Sequence, residues 1–274
     1  MPLVFWHGLG DSCCNPRTIG GLIDLVKEQL PGVYINSLQI GSTMREEMKN
    51  SFFMNTNDQV TLACEIIRND SALSGGYHAV GISQGCQFLR AVAQRCPDPP
   101  MRNLVSLGGQ HQGVFGLPEC PMDNTTACEN IRRLLNLGAY LDDVQDNLVP
   151  AQYWHDPFHM HTYVEKSIFL ADINNERYKN ETYKQNLLKL QNFVLVIFDD
   201  DSVVVPRNSS WFGYYPENDD ETIVPLQQQR IYIEDWIGLK QLDESGRLIF
   251  LSTPGDHIQI EMKWFIDNII KYLK

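Results

Sequence analysis

Tyr77-His78-Ala79-Val80-Gly81-Ile82-Ser83-Gln84-Gly85-Cys86, continued by Gln87-Phe88-Leu89-Arg90-Ala91-Val92-Ala93-Gln94-Arg95-Cys96, changes its hydrophobic period part-way along. Tyr77–Ile82 is a short, mostly apolar run and reads as a buried strand. Leu89, Val92, Ala93 and Cys96 then recur at helical spacing. Between them stands Gly81-Ile82-Ser83-Gln84-Gly85, a Gly-x-Ser-x-Gly sequence at a strand-to-helix turn. Glycine is needed on both sides of such a serine, because the turn is strained and side chains there would meet neighbouring backbone. The pattern alone is weak: at a glycine usage of about 7%, a chain of this length shows it by accident roughly one time in ten. The strand before it and the helix after it favour a nucleophilic serine over a Gly-rich turn with an exposed hydroxyl.

Reading outward, the same alternation fills the first third of the chain. Leu3–Trp6 reads as a strand ending in His7-Gly8-Leu9-Gly10-Asp11, and Pro16 opens a helix with apolar positions at Ile19, Leu22, Ile23, Val26 and Leu30. Pro31-Gly32 stops that helix. A strand is expected over Val33–Ile40, a helix on Val60, Ala63, Cys64 and Ile67, and a further strand over Asn103–Leu107. Strands separated by helices of this length pair in parallel with helices on both faces, so a doubly wound α/β sheet is predicted, mostly parallel. From Gly108 to about Gln191 the rhythm breaks into loops, aromatic clusters and a helical stripe at Ile131, Leu134 and Leu135. It resumes with Phe193–Phe198, Leu248–Leu251 and a final helix on Met262, Phe265, Ile266, Ile269 and Leu273. One domain over 1–274, carrying an inserted lid or cap at about 108–191, is the economical organisation.

A serine hydroxyl needs a base, and the base needs a carboxylate to orient it. His257, in Thr253-Pro254-Gly255-Asp256-His257, follows a late strand and is the only histidine after His161. For the acid, Asp199, Asp200 and Asp201 all follow Phe193–Phe198, and spacing does not choose among them; Asp256 is a poorer candidate beside the base itself. The oxyanion requires two preorganised N–H donors. Gln84, next to the serine, and Leu9, between two glycines, are placed to supply them. The Leu9 loop is not a phosphate cradle, since it lacks a Gly-Lys-Ser/Thr ending.

With 22 Lys and Arg against 34 Asp and Glu, the formal charge is −12, which argues against nucleic acid or an anionic membrane as the main partner. No apolar run approaches the ~18–20 residues of a spanning helix, so no transmembrane segment is expected. Seven cysteines and four Asn-x-Ser/Thr sites, at Asn69, Asn124, Asn180 and Asn208, favour a secretory route. Met1-Pro2 runs straight into the first strand, so the chain reads as one whose targeting segment has been removed. His155, Asp156, His159 and His161 lie close together, but no second ligand set accompanies them and the flanking Trp154, Pro157 and Phe158 suggest an aromatic loop; no metal site is expected. Cys13-Cys14 reads as structural rather than redox-active.

The strings His7–Pro16, Gly81–Gly85 with Phe88–Cys96, Gly108–Gly116 and Gly255-Asp256-His257 closely resemble the palmitoyl-protein thioesterases. The likeness runs over essentially the whole chain. It implies the α/β-hydrolase fold and a lysosomal enzyme, in the secretory pathway and in part secreted, that cleaves long-chain acyl groups from cysteines of S-acylated proteins. It also implies acyl thioesters such as palmitoyl-CoA as substrates, a free fatty acid product, and no metal or organic cofactor. It designates Ser83 as nucleophile, His257 as base and, because the family's acid stands before Ser-aliphatic-Val, Asp201 as acid. The Leu9 and Gln84 amides become the oxyanion hole, and Gln110, Val203 and Val204 candidates for the acyl groove. Cys13 is expected to pair with Cys14, Cys64 with Cys96 and Cys120 with Cys128, leaving Cys86, where the family commonly has Gly, as a buried and inert thiol. Asn180 matches a family glycosylation position; Asn69, Asn124 and Asn208 do not obviously do so. A lipase or carboxylesterase using the same triad, and a silent acyl-binding module of this fold, are the rival readings.

Overall fold

A computed structural model of the chain describes residues 1–116, Leu135 and residues 138–274. Cys120, Cys128 and Asn124, with Ile131 and Leu134 of the proposed helical stripe, lie outside the described residues.

The alternating elements build one six-stranded sheet. Its strands are β1 (Leu3–Trp6), β2 (Ile35–Ser37), β3 (Tyr77–Ile82), β4 (Met101–Leu107), β5 (Asn192–Phe198) and β6 (Leu248–Thr253), in the order β2-β1-β3-β4-β5-β6. Every pairing is parallel. Because side chains alternate across a strand, each strand feeds two cores. Leu3 and Phe5 of β1 and Val80 and Ile82 of β3 pack against α1 (Ile19–Gln29) and against Phe265 of α12 (Met262–Asn268). Val4, Trp6 and Ala79 face the other way, onto α3 (Thr56–Asn69) and α4 (Gln84–Arg95). Each of the buried Leu, Val, Ile and Phe side chains among these contributes ~1.5–3 kcal/mol of transfer free energy.

The chain leaves β1 toward β2 and then returns to place β3 on β1's other side, so the order reverses between β1 and β3. At such a reversal the two loops leaving the carboxyl ends diverge and open a crevice. Here those loops are His7–Asp11 and the turn at Ser83.

The expected strand over Val33–Ile40 shortens to β2. As an edge strand it pairs only with β1; the Leu38 N–H makes a last bond to the Phe5 carbonyl at 2.9 Å, and the Leu38 and Ile40 side chains lie in the core. In the first third of the chain one helix was not expected, α2 (Met44–Phe53). Its signal is polar rather than periodic: the Thr43 hydroxyl accepts the Glu46 N–H, an N-cap visible as Thr43-x-x-Glu46. The stretch between β4 and β5 is not merely loop. Its described residues contain α5 (Asp142–Asn147), α6 (Val149–Gln152), α7 (Met160–Lys166), α8 (Leu170–Ile173) and α9 (Glu181–Leu187). Arg90 of α4 fastens them, donating to the carbonyls of Ile173 and His111 and to Asn174 Oδ1 while its guanidinium lies over the Phe212 ring. Two short helices, α10 (Arg230–Ile233) and α11 (Leu239–Glu244), precede β6.

Candidate active site

Ser83 sits where β3 becomes α4, with φ 53° and ψ −123°, a left-handed-side conformation that an L-residue holds only under constraint. The flanking glycines are steric necessities. A Cβ on Gly81 would lie 2.5 Å from Cys86 Cα, and one on Gly85 would lie 2.4 Å from the Trp6 carbonyl oxygen. The elbow is thus pressed between its own helix and β1, which pushes the serine up at the crevice.

His257 comes from the loop after β6. Its Nε2 lies 2.9 Å from Ser83 Oγ and its Nδ1 2.7 Å from Asp201 Oδ2. Asp201 is fixed in turn, since its Oδ1 accepts the N–H groups of Val203 (2.9 Å) and Val204 (2.8 Å). Among the three successive aspartates it alone turns inward: it is buried, whereas Asp199 and Asp200 are exposed. Asp256 points away from the imidazole, and its Oδ1 accepts the N–H groups of His257 (2.6 Å) and Ser202 (2.8 Å). Those bonds, the Ser202 amide foremost, hold its carboxyl below the usual carboxylate range.

The Leu9 loop lies over the same point, and Leu9 and Ser83 line a common cavity. No acceptor takes the N–H of Leu9 or of Gln84 among the described residues. Both are held from behind by α2. The Ser51 carbonyl accepts Gln84 Nε2 at 3.0 Å, and the Ser51 hydroxyl accepts the Gly10 N–H at 2.8 Å. One turn earlier, buried Glu47 accepts the Cys13 N–H at 2.6 Å and lies 3.7 Å from His7 Nε2. Burial pushes the Glu47 carboxyl up. Sequence reasoning missed these supports along with α2.

Gln110 donates from Nε2 to Ser83 Oγ at 3.2 Å. Of the other expected groove residues, Val203 is partly exposed and lines the cavity beside Ser83, whereas Val204 is fully buried and is not among the lining residues, its N–H held by Asp201. The cavity, of about 720 Å³, runs from Ser83 between the β1–α1 connection and the Ile258–Met262 segment; none of the described residues of 108–191 lines it.

The remaining polar candidates lie apart from this centre. His155 is buried, stacked on Tyr163 (3.9 Å) and Tyr214 (4.2 Å), and burial pulls it down to about 4. His159 pairs with Asp156, and His161 lies beside Glu165. Cys13–Cys14 and Cys64–Cys96 are disulfides, the second joining α3 to the end of α4. Cys86 is a buried thiol whose Sγ meets the Leu107 carbonyl at 3.5 Å, and burial pushes it up to about 12. Asn69 and Asn180 are exposed and Asn208 is half-buried.

Four likenesses bear on this arrangement. A family model described as palmitoyl protein thioesterase matches residues 2–257. Palmitoyl-protein thioesterase 1 of Caenorhabditis elegans is 56% identical over 99% of this chain and 91% of its own length. Lysosomal thioesterase PPT2 of Homo sapiens is 30% identical over 93% of this chain and 80% of its own. Among solved structures, the Bacillus licheniformis lipase BlEst2 superposes with a TM-score of 0.53 at 14% identity, covering 100% of this chain and 91% of that one. That likeness is one of fold, the α/β-hydrolase fold.

Proposed function

The chain belongs to the palmitoyl protein thioesterase family, and from that premise we propose that it hydrolyses thioesters joining long-chain fatty acids to protein cysteines, with Ser83, His257 and Asp201 as its catalytic residues. The observation that carries this reading is the unbroken relay from Asp201 Oδ2 through the His257 ring to Ser83 Oγ. When His257 donates Nδ1–H to Asp201, its Nε2 is left as the acceptor for the serine proton. Ser83 Oγ then attacks the thioester carbonyl as that proton passes to Nε2. The oxyanion is received by the N–H groups of Leu9 and Gln84, which support from α2 keeps in place before the reaction. As the intermediate collapses, Nε2 returns the proton to the departing sulfur and the acyl group stays on Ser83. Water, deprotonated by the same nitrogen, releases the fatty acid and restores the serine. None of these steps calls on a metal.

A long acyl chain offers ~0.8 kcal/mol per buried methylene, so an apolar path away from Ser83 supplies most of the binding. Gln110 stands at the start of that path, and the helices between β4 and β5 form a cap beside it. The enzyme works in the lysosome, in keeping with the name of the human relative and with paired cysteines, which belong to an oxidising route of synthesis. Exposed Asn180 is its glycan site.

Purified enzyme should hydrolyse palmitoyl-CoA in preference to a matched palmitoyl oxygen ester. Ser83→Ala should lower turnover by at least about a thousandfold without loss of fold. A preference for the oxygen ester would make it a lipase or carboxylesterase instead, and undiminished turnover by Ser83→Ala would remove Ser83 as nucleophile.

A further inference from the structure

Resting on the thioesterase reading above, we infer that the cavity between α1 and the Ile258–Met262 segment receives the leaving thiol, that is, the cysteine of the S-acylated protein with apolar residues flanking it, and not the acyl chain. When the C–S bond breaks, its electron pair leaves on sulfur and the proton held by His257 Nε2 moves there. Sulfur therefore lies within hydrogen-bond reach of Nε2. Whatever is attached to sulfur leads away on the His257 side of Ser83.

That side is where the cavity is. One wall is the segment continuing from His257, with Ile258, Ile260 and Met262, and Val203 beside it; the facing wall carries Leu22 and Leu25 of α1. These six apolar side chains are all at least partly exposed, with Met262 at 66%. Ile258 holds a φ of 61°, a conformation a β-branched residue adopts only when its surroundings impose it. The strained residue next to the base thus lines the wall that a leaving group would touch. Gln110 reaches Ser83 Oγ from after β4 and is not among the lining residues. With sulfur at His257 and the oxyanion at Leu9 and Gln84, the direction past Gln110 is left for the acyl chain. Val203, expected to line an acyl groove, belongs to the thiol side.

The test compares two thioesters sharing a palmitoyl chain: palmitoyl-N-acetylcysteamine, and a pentapeptide palmitoylated on a cysteine flanked by leucines. Palmitoyl- and octanoyl-N-acetylcysteamine are compared in parallel. In Ile260→Asn, and in the surface variant Met262→Asp, the peptide to short-thiol ratio of kcat/KM should fall about tenfold through KM. The palmitoyl to octanoyl ratio should keep its wild-type value. A collapse of the palmitoyl to octanoyl ratio would give the cavity to the acyl chain, and unchanged peptide to short-thiol ratios in both variants would equally overturn the assignment. A wild type that cleaves neither thioester would overturn the thioesterase reading itself, a result distinct from both.

Discussion

Asp256 is tied to Ser202: its carboxylate accepts the Ser202 N–H at 2.8 Å and the Ser202 hydroxyl at 2.9 Å. Ser202 follows Asp201 and Asp256 precedes His257, so one carboxylate joins the loop carrying Asp201 to the loop carrying His257.

Removing that tie should misplace the imidazole without touching it. Asp256→Ala is expected to lower kcat about tenfold or more with KM changed less than about twofold, and Asp256→Asn, which keeps an acceptor oxygen, should lose less. The amide bonds depress the Asp256 pKa. Its contribution is therefore present above the ordinary carboxylate pKa and is lost only as pH falls through the lowered value, so the tie persists at mildly acidic pH. Steady-state kinetics across pH 4–8 check this; equal kcat for wild type and Asp256→Ala would refute it.

Glu47 supports the Leu9 loop from beneath through the Cys13 N–H. Glu47→Ala leaves that buried donor unpaired, which costs ~1–3 kcal/mol, and should lower kcat as the loop loosens. Glu47→Gln retains an acceptor and should be much closer to wild type. Denaturant unfolding of the two variants side by side separates the outcomes.

The contribution of Glu176 to folding stability should decline from mildly acidic to neutral pH, against the opposite trend of His155, His111 and His78, which burial pulls below the usual imidazole range. Burial pushes Glu176 up to about 7, with the nearby cations Lys179 and Arg90 only partly offsetting it, and burial shifts Glu47 in the same direction. An unfolded glutamate titrates near ~4.3, so between there and about 7 the Glu176 carboxyl holds a proton in the native state that it releases in the unfolded state. The Glu176 contribution consequently falls as pH rises through that window and levels off above it. Thermal unfolding should show Glu176→Gln raising Tm relative to wild type more at pH 8 than at pH 5, and an equal difference at the two pH values would refute it.

Cys86 stands three residues after Ser83 yet should be chemically silent. Full burial and a pKa pushed up to about 12 leave almost no thiolate at neutral pH. Iodoacetamide applied to the native enzyme should leave Cys86 unmodified and activity intact, whereas the unfolded chain should be labelled there. Labelling of Cys86 in the native state would show that the elbow helix opens.

Much of the sheet was legible because its signals are local. Tyr77–Ile82 and the helix after it are written in adjacent residues, and the observed β3 has those bounds. β2 was overread, since whether an apolar run stays in a ladder depends on having neighbours on both sides. α2 was missed because its two methionines, Met44 and Met48, face solvent and make no stripe. Its cap, Thr43-x-x-Glu46, was the available signal.

By itself, then, the sequence determined the parallel α/β alternation, the elbow at Ser83 and a late histidine at His257, because strand and helix periods and glycine-flanked turns are short-range properties. From the residues alone the acid stayed open among three neighbours, and family likeness pointed to Asp201. Only the tertiary structure decided that Asp201 turns inward onto His257 while Asp199 and Asp200 face solvent, that α2 underpins the Leu9 loop, and that the cavity opens along α1 and the Ile258–Met262 segment. Each of these depends on contacts between segments far apart in the chain, and the packing of the whole sheet, not the local pattern, sets which side chains meet.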